Sequence, residues 1–316
     1  MKKGLTVILA AALWFQGASA LAVNIKGEMG TALIKELNRA SRGKITDAVV
    51  EIDGKYGCFG ISGALGSLLT PTLLSSVKEE LKGDFGIRKD DRFGLLWGSL
   101  SLEPREDFEV EAGVLTTMVG QELPLTTENN NLLFGLVWNA QPFIYKGVRG
   151  YAKKGDYLAY GEFDFGVGLN GSSKDRALGF GLLKNRGKLQ FGVNYFDYRD
   201  FKNLIDLSVG KSWQRLSVAA NIDYQWLDRD PSKRGLGGAL YIVPKITENL
   251  SIPVRLEAVK DFKNSGIYGF NKTTYSFTLS PTYKLGRHTL LRGEFAVVKN
   301  KDRSYETEAL QIAFSF

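Results

Sequence analysis

The residue types that most often carry out chemistry are scarce in this chain of 316 residues. His288 is its only histidine and Cys58 its only cysteine, whereas metal sites and nucleophilic active sites usually combine several such side chains. Gly166, Gly168 and Gly171 have the spacing of a dinucleotide-binding loop, but a polar turn follows them instead of an apolar helix. We therefore predict no catalytic residue, no metal and no cofactor, and a protein that is not an enzyme.

The charged residues follow a more regular pattern, because many alternate with apolar residues along short segments. In residues 216–226, for example, Ile222 and Tyr224 alternate with Asn221 and Asp223. A period of two is typical of a β-strand with one apolar and one hydrated face. The same alternation places eleven charged side chains on hydrated faces: Glu109, Glu111, Arg149, Glu162, Asp164, Asp206, Asp223, Arg255, Glu257, Arg292 and Glu294. Carboxylates outnumber arginines in this set, although the formal net charge of the chain is +7.

The alternating segments predict about 14 strands, within a range of 12 to 16, separated by turns rich in Gly, Asn, Asp, Lys and Pro. Many are long enough to cross a membrane as tilted strands. The predicted fold class is therefore all-β, an antiparallel transmembrane β-barrel. The segments lie near residues 49–61, 92–102, 107–119, 143–153, 156–169, 176–183, 188–198, 203–211, 214–227, 234–244, 249–261, 272–284, 288–299 and 305–316.

Short and long connections alternate along the chain. Counting back from the C-terminus, the short connections 285–287 and 245–248 alternate with longer ones such as 262–271, and the two longest, 62–91 and 120–142, belong to the long class. Membrane barrels alternate in this way because their periplasmic turns are short, whereas a soluble β-sandwich has no reason to. The apolar second half of 120–142 predicts that this segment folds back against the barrel wall.

The N-terminus has the order of a cleaved secretory signal peptide. Lys2 and Lys3 precede an apolar stretch at 5–15 and the small residues of a cleavage site at 18–20. Export of a barrel predicts a location in the bacterial outer membrane. The predicted organisation is a signal peptide at 1–22, a periplasmic or plug segment at 23–44, and the barrel at 45–316.

Two short helices are predicted outside the strands. One covers 28–41, where Leu33, Ile34 and Leu37 have helical spacing, and would lie in the periplasm or plug the barrel. The other covers 71–81 in the first long loop, because Pro71 follows a residue suited to capping a helix. We expect the second helix in or over the barrel mouth.

The last segment carries a candidate assembly signal. Phe314 and Phe316 lie on its apolar face, and a terminal aromatic residue on such a strand resembles the signal that barrel-assembly machinery recognises. Gln311 stands where that signal usually has a glycine.

Residues 107–152 resemble the OmpL-like family of β-barrel porins. The resemblance consists of Val119-Gly120-Gln121 at the end of a strand, a polar loop containing Pro124, and then Gln141-Pro142-Phe143 and Gly147-Val148-Arg149 at the start of the next strand. It implies a single-chain barrel of the outer membrane with pore function, and it implies no catalytic residues.

The charged inner face indicates a hydrated interior, since such charges must meet water or each other. We predict a porin that forms a passive, weakly cation-preferring channel for small hydrophilic solutes. Two alternatives stay open: a transporter for hydrophobic compounds plugged by its N-terminal helix, and a structural or enzymatic barrel.

The expected partners are outer-membrane lipid and lipopolysaccharide, the barrel-assembly machinery and the solutes. A homo-oligomer is left open. The modest net charge predicts no nucleic-acid partner.

Overall fold

The computed structural model describes residues 22–36, 42–68, 71–73, 94–165, 176–184, 189–199, 201–270 and 272–316. Within these residues the chain forms sixteen antiparallel strands, two of them interrupted. They are β1 (Ala22–Glu36), β2 (Arg42–Tyr56), β3 (Phe59–Leu68), β4 (Gly94–Arg105), β5 (Phe108–Thr116), β6 (Ile144–Lys154), β7 (Tyr157–Phe165), β8 (Arg176–Lys184), β9 (Leu189–Asp197), β10 (Lys202–Ser212), β11 (Leu216–Leu227), β12 (Asp230–Pro244), β13 (Leu250–Ser251 and Val254–Phe262), β14 (Thr274–Leu279 and Thr282–Lys284), β15 (Thr289–Lys299) and β16 (Ser304–Ser315).

The strands form one closed barrel. Each strand pairs with its neighbours in sequence, and β1 pairs with β2 on one side and with β16 on the other. The sheet therefore has no free edge along which unpaired backbone groups would meet lipid. Ala22 and Phe316 lie at one end of the barrel with the short turns, which we name the turn end; the opposite end is the loop end.

The outer face is apolar, as the alternation predicts. Side chains such as Leu100, Ile222 and Leu310 are exposed by half or more, while their neighbours in sequence point inward. Among the described residues no helix is long and apolar enough to cross a membrane. The closed antiparallel sheet confirms the all-β barrel predicted from the sequence.

The helix predicted at 28–41 is wrong, because residues up to Glu36 belong to β1. Val23, Ile25, Met29 and Leu33 point outward, each about half exposed, and polar or small residues alternate with them. Two adjacent apolar residues such as Leu33 and Ile34 are compatible with a helix or with a strand. The segment forms a strand because it pairs with a neighbouring strand on each side. The predicted plug is therefore part of the wall.

The segment predicted at 49–61 is a hairpin of two strands. β2 and β3 meet at a two-residue turn, where Gly57 has a φ of +56° that favours glycine. The alternation of apolar and polar residues is hard to see in this part of the sequence, because its glycines have no side chain to mark either face. Together with β1, this hairpin raises the strand number from the predicted 14 to sixteen.

The second predicted helix, 71–81, lies mostly outside the described residues. Its described part, 71–73, is not helical, because Thr72 forms a parallel bridge with Phe134.

Prolines interrupt β13 and β14, since Pro253 and Pro281 have no N–H to donate to a neighbouring strand.

Candidate functional site

The connection between β5 and β6, residues 117–143, enters the barrel instead of extending beyond it. We name it the inner loop. Every wall side chain that holds it points inward, and most of its second half is buried. The predicted return of this segment to the barrel wall is confirmed.

An apolar core fixes the second half of the inner loop. Leu133, Leu136 and Val137 pack against inward-facing residues of β12, β13 and β15, such as Tyr241 and Val259. Trp138, only 2% exposed, lies with its ring centroid 4.1 Å from that of Phe134 and 5.0 Å from that of Phe143. Burial of this many large side chains makes the loop a packed part of the barrel.

Two wall carboxylates accept hydrogen bonds from the backbone of the inner loop. Glu294 accepts from the N–H groups of Leu132 and Leu133 at 2.8 Å or less, and Glu257 accepts from Val137 at 3.1 Å. Without these acceptors the amides would be buried and unpaired, which is costly. These carboxylates therefore anchor the loop.

Two wall arginines complete the anchorage. Arg292 donates to the carbonyl oxygens of Thr126 and Asn129, at 3.0 and 2.7 Å. Arg255 pairs with Glu122 of the loop and with Glu257 of its own strand. The loop supplies backbone oxygens and a carboxylate where the wall supplies guanidinium groups.

The end of the inner loop meets the inner face of β10 and β11. Gln141 donates from its side chain to Asn221 and Asp223, at 2.9 and 3.0 Å. Lys202, fully buried, donates to the carbonyl oxygen of Ala140 at 2.7 Å. Asp206 accepts from Asn194 and Asn221.

A separate cluster surrounds Arg149 on the inner face of β6. Its guanidinium pairs with Glu111 at 3.0 Å and with Glu162, and it donates to the hydroxyl oxygens of Tyr145 and Tyr151. The cluster contains two carboxylates and one guanidinium, and it is almost fully enclosed.

All eleven charged residues predicted for the inner face point inward. Nine of them are at most 5% exposed: Arg149, Glu162, Asp164, Asp206, Asp223, Arg255, Glu257, Arg292 and Glu294. The sequence predicted a hydrated interior, but most of these nine charges bond to each other, to neighbouring polar side chains or to the inner loop. Asp164 is the exception, because its carboxylate has no hydrogen-bond partner among the described residues. Glu111 is partly exposed beside Arg149, and Glu109 lies near the turn end, where Lys153 donates to it at 2.9 Å.

The interior thus has two unlike sides. The covered wall, the inner face of β10 to β16, lies beneath the inner loop. The open wall, the inner face of β1 to β5, keeps polar side chains such as Asp53, Ser62 and Ser99 partly or fully exposed. The inner loop covers its loop end, where Thr126 contacts Asp47.

An acidic group lies between the open wall and the inner loop. Glu128 of the loop is exposed and repels Glu51 of β2, and Glu28 of β1 interacts with both. Thr127 donates to Glu28, and Lys26 is the cation that acts on all three carboxylates. Glu28 and Glu51 are not among the predicted inner-face residues, because the sequence predicts a helix over most of β1 and glycines obscure the alternation in β2. The alternation from Val23 to Leu33 is the signal that could have identified Glu28.

The other candidates for chemistry are separated from each other. His288 is exposed at a turn, with Nδ1 2.9 Å from the carbonyl oxygen of Ser315, and Cys58 is exposed in the turn after β2. Among the described residues no three His, Cys, Asp or Glu side chains are placed to hold a metal ion. Gly166, Gly168 and Gly171 lie outside the described residues.

The chain terminus closes the barrel. Phe316 and Gly27 of β1 exchange two backbone hydrogen bonds, at 2.9 and 3.0 Å. The ring of Phe316 lies over Gly27 and would have to move to make room for a side chain at that position. Phe314, 39% exposed, lies on the same outer face of β16.

A closed sixteen-stranded barrel with an apolar outer face and a loop folded into a polar interior defines a porin-like outer-membrane protein. The family model described as "Putative beta-barrel porin-2, OmpL-like" matches residues 95–313. The chain belongs to this family of β-barrel porins, as the resemblance at 107–152 implies.

Solved structures have the same fold at low sequence identity. A loop-deletion form of OmpT, an outer membrane protein of Vibrio cholerae, has a TM-score of 0.70 and 10% identity, covering 94% of this chain and 100% of that chain. An anion-selective porin from Comamonas acidovorans has a TM-score of 0.64 and 14% identity, with the same coverage. No curated protein matches the sequence.

Proposed function

We propose that the protein is a passive channel for small hydrophilic solutes, narrowed by the inner loop, with a weak preference for cations. The observation that carries the proposal is the contrast within the interior. The covered wall is packed against the inner loop, whereas the open wall has exposed polar side chains, and the inner loop itself exposes Gln121, Leu123 and Glu128. A path for solutes would follow the open wall.

The acidic group supports the cation preference. Glu28, Glu51 and Glu128 face one another with Lys26 as the nearby cation, so the net charge of the group is negative when its carboxylates are ionised. Charged side chains at a narrow point set the potential that a passing ion meets. The structural neighbour from Comamonas is described as anion-selective, so the sign of the selectivity would distinguish the two proteins.

The test is single-channel recording of the refolded chain 23–316 in a planar bilayer under a salt gradient. We expect discrete current steps and a reversal potential on the cation side. The double substitution Glu51→Gln and Glu128→Gln should move the reversal potential toward zero. Glu308→Gln is the matched control, since it removes a carboxylate from the outer face, where Glu308 pairs with Lys35.

Either of two results would count against the proposal. A folded barrel that passes no current would mean that the inner loop closes the interior, which favours a structural barrel or a plugged transporter. An equal shift of the reversal potential in the double variant and in the control would show that the acidic group is not the source of the selectivity.

The remaining predictions complete this function. A signal peptide at 1–22 would direct export, the terminal Phe314 and Phe316 would engage the assembly machinery, and lipopolysaccharide would surround the loop end. Copies of the chain could associate, as in the trimer form described for a structural neighbour.

A further inference from the structure

The outer face of the barrel carries basic and aromatic side chains together at the loop end of β12 to β15. On β13 the ring of Phe262 has two cations close to it. The guanidinium carbon of Arg234 is 5.3 Å from its centroid, and the Lys260 ammonium nitrogen is 4.7 Å away. Arg234 pairs with Phe262 across the strands, so both cations share its outward side.

A groove of about 590 Å³ lies beside this pair. It is lined by Lys272, Thr273, Tyr275, Lys299, Asn300 and Lys301. Tyr275, 58% exposed, pairs with Lys299 across β14 and β15, which shows that the groove opens on the outer face. Lys260 continues the same basic surface, because the residue before it, Val259, pairs with Thr274 at the edge of the groove.

The positive charges of this surface exceed its negative ones. Lys272 pairs with Asp302 at 2.7 Å, and Glu306 points outward on the neighbouring strand. Within the described residues Arg234, Lys260, Lys299 and Lys301 form no ion pair. Four cations at a rim with aromatic neighbours, where a membrane surface would lie, fit an anion that belongs to the membrane.

We infer that this surface, named the basic rim, binds the phosphate groups of a glycolipid headgroup in the membrane leaflet at the loop end. Lysine and arginine donate charge-assisted hydrogen bonds to phosphate oxygens, and the exposed Tyr275 can contact the sugar or the upper acyl chain. The inference rests on the proposed position of the barrel in an outer membrane, and it does not depend on conduction.

The experiment measures binding of diphosphoryl lipid A to the detergent-solubilised chain 23–316 by native mass spectrometry. Lys299→Gln with Lys301→Gln should weaken binding about tenfold or more, because each basic residue near an anionic headgroup contributes to attraction. Arg234→Gln with Lys260→Gln should act in the same direction. Lipid A without phosphates should bind the parent chain as weakly as diphosphoryl lipid A binds these variants.

The matched control removes two lysines at the turn end. Lys184 lies 5.8 Å from the ring of Tyr157, and Lys154 pairs with that tyrosine, so the chemistry resembles that of the basic rim. Lys154→Gln with Lys184→Gln should leave lipid A binding unchanged.

Three outcomes would overturn the inference: unchanged binding in the rim variants, an equal loss in the control, or displacement of lipid A by inorganic phosphate at similar concentration. The last would identify a site for free phosphate. Because the rim variants should conduct as the parent chain does, failure here is distinguishable from failure of the channel function.

Discussion

The covered wall and the open wall of the barrel use the same residue types for different purposes. On the covered wall Glu257 and Glu294 are buried and accept hydrogen bonds from loop amides. On the open wall Glu51 is partly exposed and faces another carboxylate, Glu128. What separates them is whether backbone amides of the inner loop donate to them. A charge on the inner face of a barrel is structural where backbone amides satisfy it and electrostatic where water does.

The largest expected effect is loss of the covered wall's packing. Trp138→Ala would leave a cavity at a nearly fully buried site and should lower the free energy of unfolding by about 3–5 kcal/mol. Urea unfolding in detergent and protease cleavage of the inner loop would measure it. Trp213→Ala is the control, because Trp213 is 46% exposed; equal losses would mean that the loop is not packed as described.

A smaller effect should follow from removing one anchor. Glu294→Gln keeps the shape of the side chain but removes the charge that strengthens the hydrogen bonds from the amides of Leu132 and Leu133. We expect it to lower the free energy of unfolding by about 1.5–3 kcal/mol. Amide hydrogen exchange at those two residues should accelerate. The same exchange rates after Glu308→Gln should stay unchanged, and acceleration there would show a general loss of stability instead.

The smallest effect on stability is expected at the turn end of β6, beside the open wall. Lys153 is 41% exposed and bonds to Glu109 at 2.9 Å, so Lys153→Gln should change the free energy of unfolding by less than about 1 kcal/mol. The substitution should nevertheless raise the cation preference of the channel, because it removes a positive charge at the turn end of the barrel. A large drop in the unfolding midpoint would show that the two walls are not as different as described.

The sequence predicted the strands from β4 to β16 well, since each alternates clearly and has a turn at both ends. It failed at β1 to β3 for physical reasons. Leu33-Ile34 is ambiguous between periods, and Gly54, Gly57 and Gly60 supply no side chain to mark a face. β1 becomes a strand because it pairs with β16, which is nearly three hundred residues away in the sequence.

The site was only partly predictable. Alternation correctly assigned residues such as Glu294 and Arg149 to the inner face. It could not show that the inner loop would cover most of them, because loop amides find their acceptors only after the chain has folded. The apolar run from Leu132 to Trp138 predicted that the loop turns inward, but not which carboxylates would accept hydrogen bonds from its amides.

The junction of Phe316 with Gly27 has a consequence for the rate of folding. Gly27 and Phe316 lie 289 positions apart in the sequence (316 − 27), so the contact between them closes a very long loop. The entropy lost in closing a loop rises with its length, and folds dominated by distant contacts form slowly. We expect closure of β1 on β16 to come last, after the hairpins have formed, and to limit the rate at which the barrel reaches its native state.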